Sequence, residues 1–234
     1  MTPPAVVFDL DGVLLDSETA WTRAETRLFE RYGRTYGADE KRLLIGGSLG
    51  ETAEELERLL ERPGASEGLL EELLALAAEE FAGPVEPMPG ALELVGELRR
   101  TGRPMAVASN SQRRLVDLAL DGSGLGEAFD AVVAGDEVAH PKPAPDLYLE
   151  ACRHLGTAPD GALAIEDSPR GATAARTAGL FVIGIPYLPG LELDADLLAG
   201  SLEDAGVRAV LGLPPSPDAR PGTPRRRPPR RPRG

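Results

Sequence analysis

One cysteine stands in a chain of 234 residues, which excludes a disulfide framework and any CxxC, zinc-finger or iron–sulfur spacing. Histidine is almost as scarce, and His140 and His154 are not at a helical metal-pair spacing. No uninterrupted apolar run is long enough to cross a bilayer. The opening, MTPPAVVFDLDG, has no basic region followed by a long apolar stretch and does not read as a signal peptide. The expectation is a cytoplasmic chain with no membrane attachment. An excess of positive charge is missing too. The formal net charge is −13, and an acidic body repels phosphate backbones, so nucleic acid is excluded as a partner of the folded part.

The chain is 42% hydrophobic, enough for a packed core, and its length suits one large domain or one domain carrying a smaller insertion. Charge is uneven. Seven arginines against one aspartate give residues 214–234 a net of +6, which leaves −19 on residues 1–213. The same tail holds eight of the 22 prolines. It cannot bury apolar surface and is expected to be disordered, a dispensable extension being favoured over an arm for an anionic partner such as nucleic acid or a membrane surface.

Ala5–Phe8 is a short apolar run rich in β-branched valine and reads as a buried strand. From Ser17 to about Phe81 the character is helical. Trp21, Ala24, Leu28 and Tyr32 recur near helical spacing, and Gly33 supplies a stop. Glu51–Glu61 and Ser66–Phe81 are two further amphipathic stretches. After Pro89 helices and strands alternate. Helices are expected at 91–100, 112–120, 144–155, 170–178 and 202–211, and strands at 105–108, 131–134, 162–165 and 181–184. That alternation predicts an α/β fold, a doubly wound parallel sheet covered on both faces, with an all-helical insertion after its first strand. The expected division is a core of residues 1–16 and 88–213, an insertion of residues 17–87 and the tail 214–234. Asp16–Ser17 and Met88–Gly90 are the candidate hinges.

In such a sheet ligands bind beyond the carboxyl ends of the strands. The first strand is followed by Asp9-Leu10-Asp11-Gly12, the second by Ser109-Asn110, and the fourth by Glu166-Asp167-Ser168. The third leads through Asp136 to Lys142. Side chains two apart in extended chain share a face, so Asp9 and Asp11 point together and Leu10 turns inward. Two carboxylates so close, with Glu166 and Asp167 added, repel each other unless a cation or a shared proton compensates. An oxygen-ligated Mg²⁺ suits them, because it accepts few protein carboxylates alongside water and phosphate. Gly12 permits a tight turn. The chain has 23 arginines but only two lysines, Lys41 and Lys142, so a lysine at a strand end suggests a compact point charge. Ser109 precedes a helix start and suits either an anion or a helix cap.

FDLDGVLLDS, VASNS, HPKPAPDLY and AIEDSPRG, in that order, resemble the four motifs of the haloacid dehalogenase superfamily over roughly residues 5–190. The insertion is similar to that family's C1 helical cap, as in β-phosphoglucomutase and sugar-phosphate phosphatases. The resemblance implies a Rossmann-like core and a role for each site residue. Asp9 is the nucleophile that forms an aspartyl-phosphate, and Asp11 is the acid and then the base. Ser109, Asn110 and Lys142 hold the phosphoryl group. Asp9, the backbone carbonyl of Asp11 and Asp167 ligate Mg²⁺, with Glu166 as a further ligand or a supporting partner. The second aspartate, Asp11, implies phosphoryl chemistry rather than dehalogenation. The implied substrate is a small phosphorylated metabolite.

Trp21 and Leu49 stand where mutase-like sequences carry a histidine and an arginine, so hydrolysis of a sugar or polyol phosphate is favoured over a phosphomutase. Trp21 is equally a residue of the insertion's own core. Two other classes compete. Gly46-Gly47-Ser48-Leu49-Gly50 fits the nucleophile elbow of a serine esterase, and the mix of acids, hydroxyl and lysine fits a non-enzymatic phosphorylation receiver. The bland reading of the first is a loop, and the long insertion argues against the second. Cys152 and the histidines are given no role.

Overall fold

The computed structural model describes residues 4–44, 47–187 and 190–215. Six strands form one parallel sheet: β1 (Ala5–Phe8), β2 (Met105–Ala108), β3 (Ala131–Val133), β4 (Ala162–Glu166), β5 (Phe181–Gly184) and β6 (Leu197–Leu198). Their order is β3-β2-β1-β4-β5-β6. This is the dinucleotide-fold order, whereas receiver domains place their strands 2-1-3-4-5. The topology therefore separates this chain from the receiver reading. In register, Val7 lies between Ala106 and Ala164 at the centre of the sheet.

The central strands are apolar on both faces because both are covered. Val6 and Phe8 turn to one core, with Leu94 and Leu98 of α5 (Ala91–Arg100) and Leu115 and Val116 of α6 (Arg113–Ser123). Ala5 and Val7 turn to the other, with Leu147 and Ala151 of α7 (Asp146–His154) and Ala172 and Ala175 of α8 (Pro169–Ala178). Cys152 is buried in this second core. A short α9 (Ala205–Val210) follows β6 and starts three residues later than the apolar pattern implies. Asp204 accepts a hydrogen bond from the Gly206 N–H and starts it there.

Four helices follow β1: α1 (Glu18–Arg31), α2 (Ala38–Leu44), α3 (Leu49–Leu59) and α4 (Ser66–Phe81). α1 packs along α4, with the Trp21 and Phe81 rings edge to face at 5.6 Å. α2 carries one buried residue, Leu44, too little for an apolar period to announce it. α3 begins two residues before the expected Glu51, because Ser48 and Glu51 form a reciprocal capping box. The outgoing and returning chains lie side by side. Asp16 N–H donates to the Glu86 carbonyl at 2.9 Å, and Met88 N–H donates to the Leu14 carbonyl at 2.8 Å.

No helix among the described residues is long and apolar enough to cross a membrane. The tail expected to be disordered lies outside the described residues, apart from Pro214 and Pro215. The Pro214 carbonyl accepts from Arg208 Nε at 2.6 Å.

Candidate active site

The carboxyl edge of the sheet and helices α1–α4 enclose a pocket of about 370 Å³. Its floor comes from the segments after β1, β2 and β4 and the loop before α7, and contains Asp9, Asp11, Asn110, Ser111, Lys142 and Asp167. Parallel strands end together, so residues far apart in sequence meet there.

Lys142 is the hub. Its Nζ lies 2.5 Å from Asp9 Oδ1, 2.6 Å from Glu166 Oε1 and 2.8 Å from the Ala108 carbonyl. Only 4% of Lys142 is exposed, so it is no surface lysine. The Tyr148 ring lies 5.1 Å from the ammonium, and the Tyr148 hydroxyl donates to Glu166 Oε1 at 2.5 Å. Asn110 clamps the lysine backbone from both sides: its Oδ1 accepts from Lys142 N–H at 2.8 Å, and its Nδ2 donates to the Lys142 carbonyl at 3.3 Å. Burial alone would lower the Lys142 pKa, but Asp9 and Glu166 beside it hold it above the usual lysine range.

Glu166 is fully buried, and both its oxygens are engaged. Oε1 accepts from Lys142 and Tyr148, and Oε2 accepts from Ser168 Oγ at 3.1 Å and from the N–H groups of Asp167 and Ser168. It therefore stands as the support of Lys142 rather than as an open ligand. Gly171 is required by this packing, since a Cβ there would overlap the Glu166 carboxylate.

Asp9, Glu166 and Asp167 each offer a carboxylate oxygen, all within 4.8 Å of one another. Burial pushes the Asp9 carboxyl well above its usual range, with Lys142 opposing and Glu166 and Asp11 reinforcing. Burial, then Asp9 and Glu166, push Asp167 up to about 9 against Lys142. The Asp167 carboxylate lies against Gly12, whose φ of +78° and missing side chain leave room for it, and it accepts no hydrogen bond among the described residues. One ammonium faces a surplus of buried negative charge. A hard divalent ion fits this donor set, with Asp9 and Asp167 as the carboxylates still free to bind it.

Asp11 lines the pocket, but its carboxylate stays outside that cluster. It accepts from Ser17 Oγ at 2.5 Å, Ser109 Oγ at 3.0 Å and Ser111 Oγ at 3.1 Å. Any contact with the ion would therefore run through its backbone carbonyl, as the resemblance implies. Ser109 differs from the helix-cap expectation. It is completely buried, its hydroxyl is engaged with Asp11 and with the Ser111 N–H, and it caps no helix. Asp136 accepts from the Arg113 N–H at the start of α6 instead. Nothing in the sequence marks Ser17, Ser111 and Tyr148 as partners of the site carboxylates, although all three lie in the quoted motifs. Nor does the sequence mark the backbone N–H groups of Leu10, Asp11 and Asn110, which have no acceptor among the described residues.

Ser48 is the N-cap of α3, with its hydroxyl 2.7 Å from Glu51. Among the described residues no strand leads into it, as an elbow requires, because Leu43 and Leu44 end α2; Ile45 and Gly46 lie outside the described residues. The two histidines pair with Asp146 and Glu150. The esterase reading fails on these placements.

The chain thus combines a doubly wound sheet, a buried carboxylate–ammonium group at its carboxyl edge and inserted helices above it. The profile of the haloacid dehalogenase-like hydrolases matches residues 6–185. The chain is 32% identical to the fructose-1-phosphate phosphatase YqaB of Escherichia coli, over 78% of this chain and 96% of that protein. It is also 32% identical to the bifunctional riboflavin kinase/FMN phosphatase of Arabidopsis thaliana, over 91% of this chain, and spans 57% of that longer protein. The crystal structure of CbbY from Rhodobacter sphaeroides with phosphate superposes with a TM-score of 0.79 at 32% identity, covering 91% of this chain and all of that one. A second structure of that protein, with xylulose-1,5-bisphosphate, gives 0.78 at 31% identity, covering 90% of this chain and 99% of that one. The chain belongs to the haloacid dehalogenase-like hydrolases and is an enzyme of the phosphoric monoester hydrolase class.

Proposed function

We infer that the chain is a Mg²⁺-dependent cytoplasmic phosphatase that hydrolyses a small phosphomonoester, a sugar or polyol phosphate, through an aspartyl-phosphate. Residues 17–87 act as a cap over a core of residues 1–16 and 88–213. The observation that carries this reading is Asp9 on the pocket floor, one oxygen held 2.5 Å from Lys142 Nζ and the other left for attack. The named substrates of the relatives, fructose 1-phosphate for one, support a sugar phosphate.

In the first step an Asp9 carboxylate oxygen attacks phosphorus and the ester oxygen departs, taking a proton from Asp11. In the second, Asp11 takes a proton from water as that water attacks the phosphorus. Inorganic phosphate leaves and Asp9 is restored. Lys142 sits where it can offset charge on Asp9 and on the phosphoryl oxygens, and Glu166 and Asn110 keep it there. Ser109 and Ser111 hold Asp11 on the phosphoryl side, and the free N–H groups of Leu10, Asp11 and Asn110 suit phosphoryl oxygens. Bound between Asp9 and Asp167, with the Asp11 carbonyl, Mg²⁺ would supply charge neutralisation at the transferring group.

The test is phosphate release from a panel of phosphorylated metabolites, with Mg²⁺ and with chelator. Release from a sugar monophosphate that vanishes on chelation and in Asp9→Asn is expected. Turnover that survives both would remove the nucleophile and the ion from the mechanism.

A further inference from the structure

The pocket changes character away from its floor. Trp21, Leu44, Leu49, Leu70, Leu73 and Leu74, from all four inserted helices, form an apolar wall. Three cations line the pocket, and each already has a carboxylate partner. Lys142 is held by Asp9 and Glu166. Lys41 lies 3.3 Å from Glu18 and donates to Thr22 Oγ1 at 2.8 Å. Arg170 grips Glu51 through both terminal nitrogens, one of them at 2.5 Å. Glu25 adds a buried carboxylate to the same wall. One of its oxygens accepts from the Tyr36 hydroxyl, and it has no ion-pair partner among the described residues.

We propose that this wall selects monophosphates whose remote half is uncharged and offers an apolar face, and that it rejects substrates carrying a second phosphate. The inference rests on the phosphomonoesterase reading above. A second phosphate would arrive among leucines and a surplus carboxylate. To be paired it would have to take Lys41 from the mostly buried Glu18, leaving that carboxylate without its cation, or draw Arg170 from Glu51, an exposed pair of small worth on the rim. An apolar face instead gains contact with the leucines and with Trp21, while its hydroxyls can reach the open Glu25 oxygen. Specificity here comes as much from what the wall opposes as from what it attracts.

The experiment compares kcat/KM, with Mg²⁺ present, for fructose 1-phosphate, fructose 1,6-bisphosphate and phenyl phosphate. Both monophosphates are expected to be hydrolysed, and the bisphosphate to be disfavoured by about a hundredfold, since like charges set against each other in a closed site are strongly opposed. Leu49 is half-buried in the first turn of α3, so Leu49→Arg tests the wall by adding a cation with no assigned partner. It is expected to narrow the preference about tenfold, and Glu25→Gln to narrow it less. Bisphosphate hydrolysis by the unmodified enzyme as fast as that of its monophosphate overturns this inference and leaves the phosphatase reading standing. Failure on all three substrates overturns both.

Discussion

On the pocket floor Asp9, Lys142 and Glu166 are 7%, 4% and 0% exposed and are tied by hydrogen bonds of 2.5 and 2.6 Å. On the roof Trp21, Leu49, Leu70 and Leu74 are half-buried and held by packing. A buried charge is costly unless it is paired and hydrogen-bonded, so Lys142 and Glu166 are fixed by their polar network. An apolar wall has no such requirement and accepts changes of shape at modest cost. On the proposed function this difference separates chemistry from selection: the floor would hold the reacting groups, and the roof would set what enters.

The largest expected effect lies on the floor. Asp9→Asn should lower kcat by at least about a thousandfold, because nucleophilic groups that act as a unit fail together. Circular dichroism should show the fold retained. Leu70→Ala, on the roof, should mainly raise KM, and a kcat loss as large as that of Asp9→Asn would erase the distinction. Next comes Glu166→Ala, which leaves Lys142 and Tyr148 buried without their shared acceptor. Urea unfolding should show a loss of about 3–5 kcal/mol, and a change within error would mean the network does not stabilise the floor. Tyr148→Phe removes one donor from Glu166 and should cost about 1–2 kcal/mol, with a smaller fall in kcat than Asp9→Asn.

Two smaller effects probe the roof. Burial raises the Glu25 carboxyl from 4.5 to about 7, opposed by the Tyr36 hydrogen bond and by Lys41. The folded state thus holds this proton more tightly than the unfolded chain. Its contribution is present below about 4.5 and is lost as pH rises to about 7. Glu25→Gln should flatten that part of the stability–pH curve, and an unchanged slope would show that Glu25 does not titrate there. The smallest effect is expected at Arg170 and Glu51, which join α8 to α3 and are 37% and 48% exposed. Arg170→Ala should cost under about 1 kcal/mol, and less at high salt. A larger, salt-independent loss would place this pair with the floor.

The chain's own order made most of the core readable. AVVF, MAVA and ALAI are apolar without interruption because parallel strands are covered on both faces, and each is followed at once by its polar residues, Glu166 being the last residue of β4. Asp9, Asp11, Asn110, Lys142, Glu166 and Asp167 could therefore be named as candidates. What each one touches could not. Ser109 belongs to Asp11, and Glu166 belongs to Lys142 and Tyr148, through contacts spanning from 18 to 98 positions. The roof was less legible still. Its lining comes from four helices, and an inward leucine of a helix core has the same sequence pattern as a leucine facing a ligand. α2 and β6 escaped notice because seven residues with one buried, and two residues at a sheet edge, hold no measurable period.

Local chemistry along the chain determined the doubly wound core, the helical insertion and the inventory of reactive groups, because hydrophobic period and strand-end position are properties of neighbours in sequence. Tertiary structure alone decided which of those groups share protons and charge, and that both lysines of an arginine-rich chain face the same pocket. Hydrogen bonds and Coulomb forces act over a few ångströms in space, and only the folded chain brings distant residues that close.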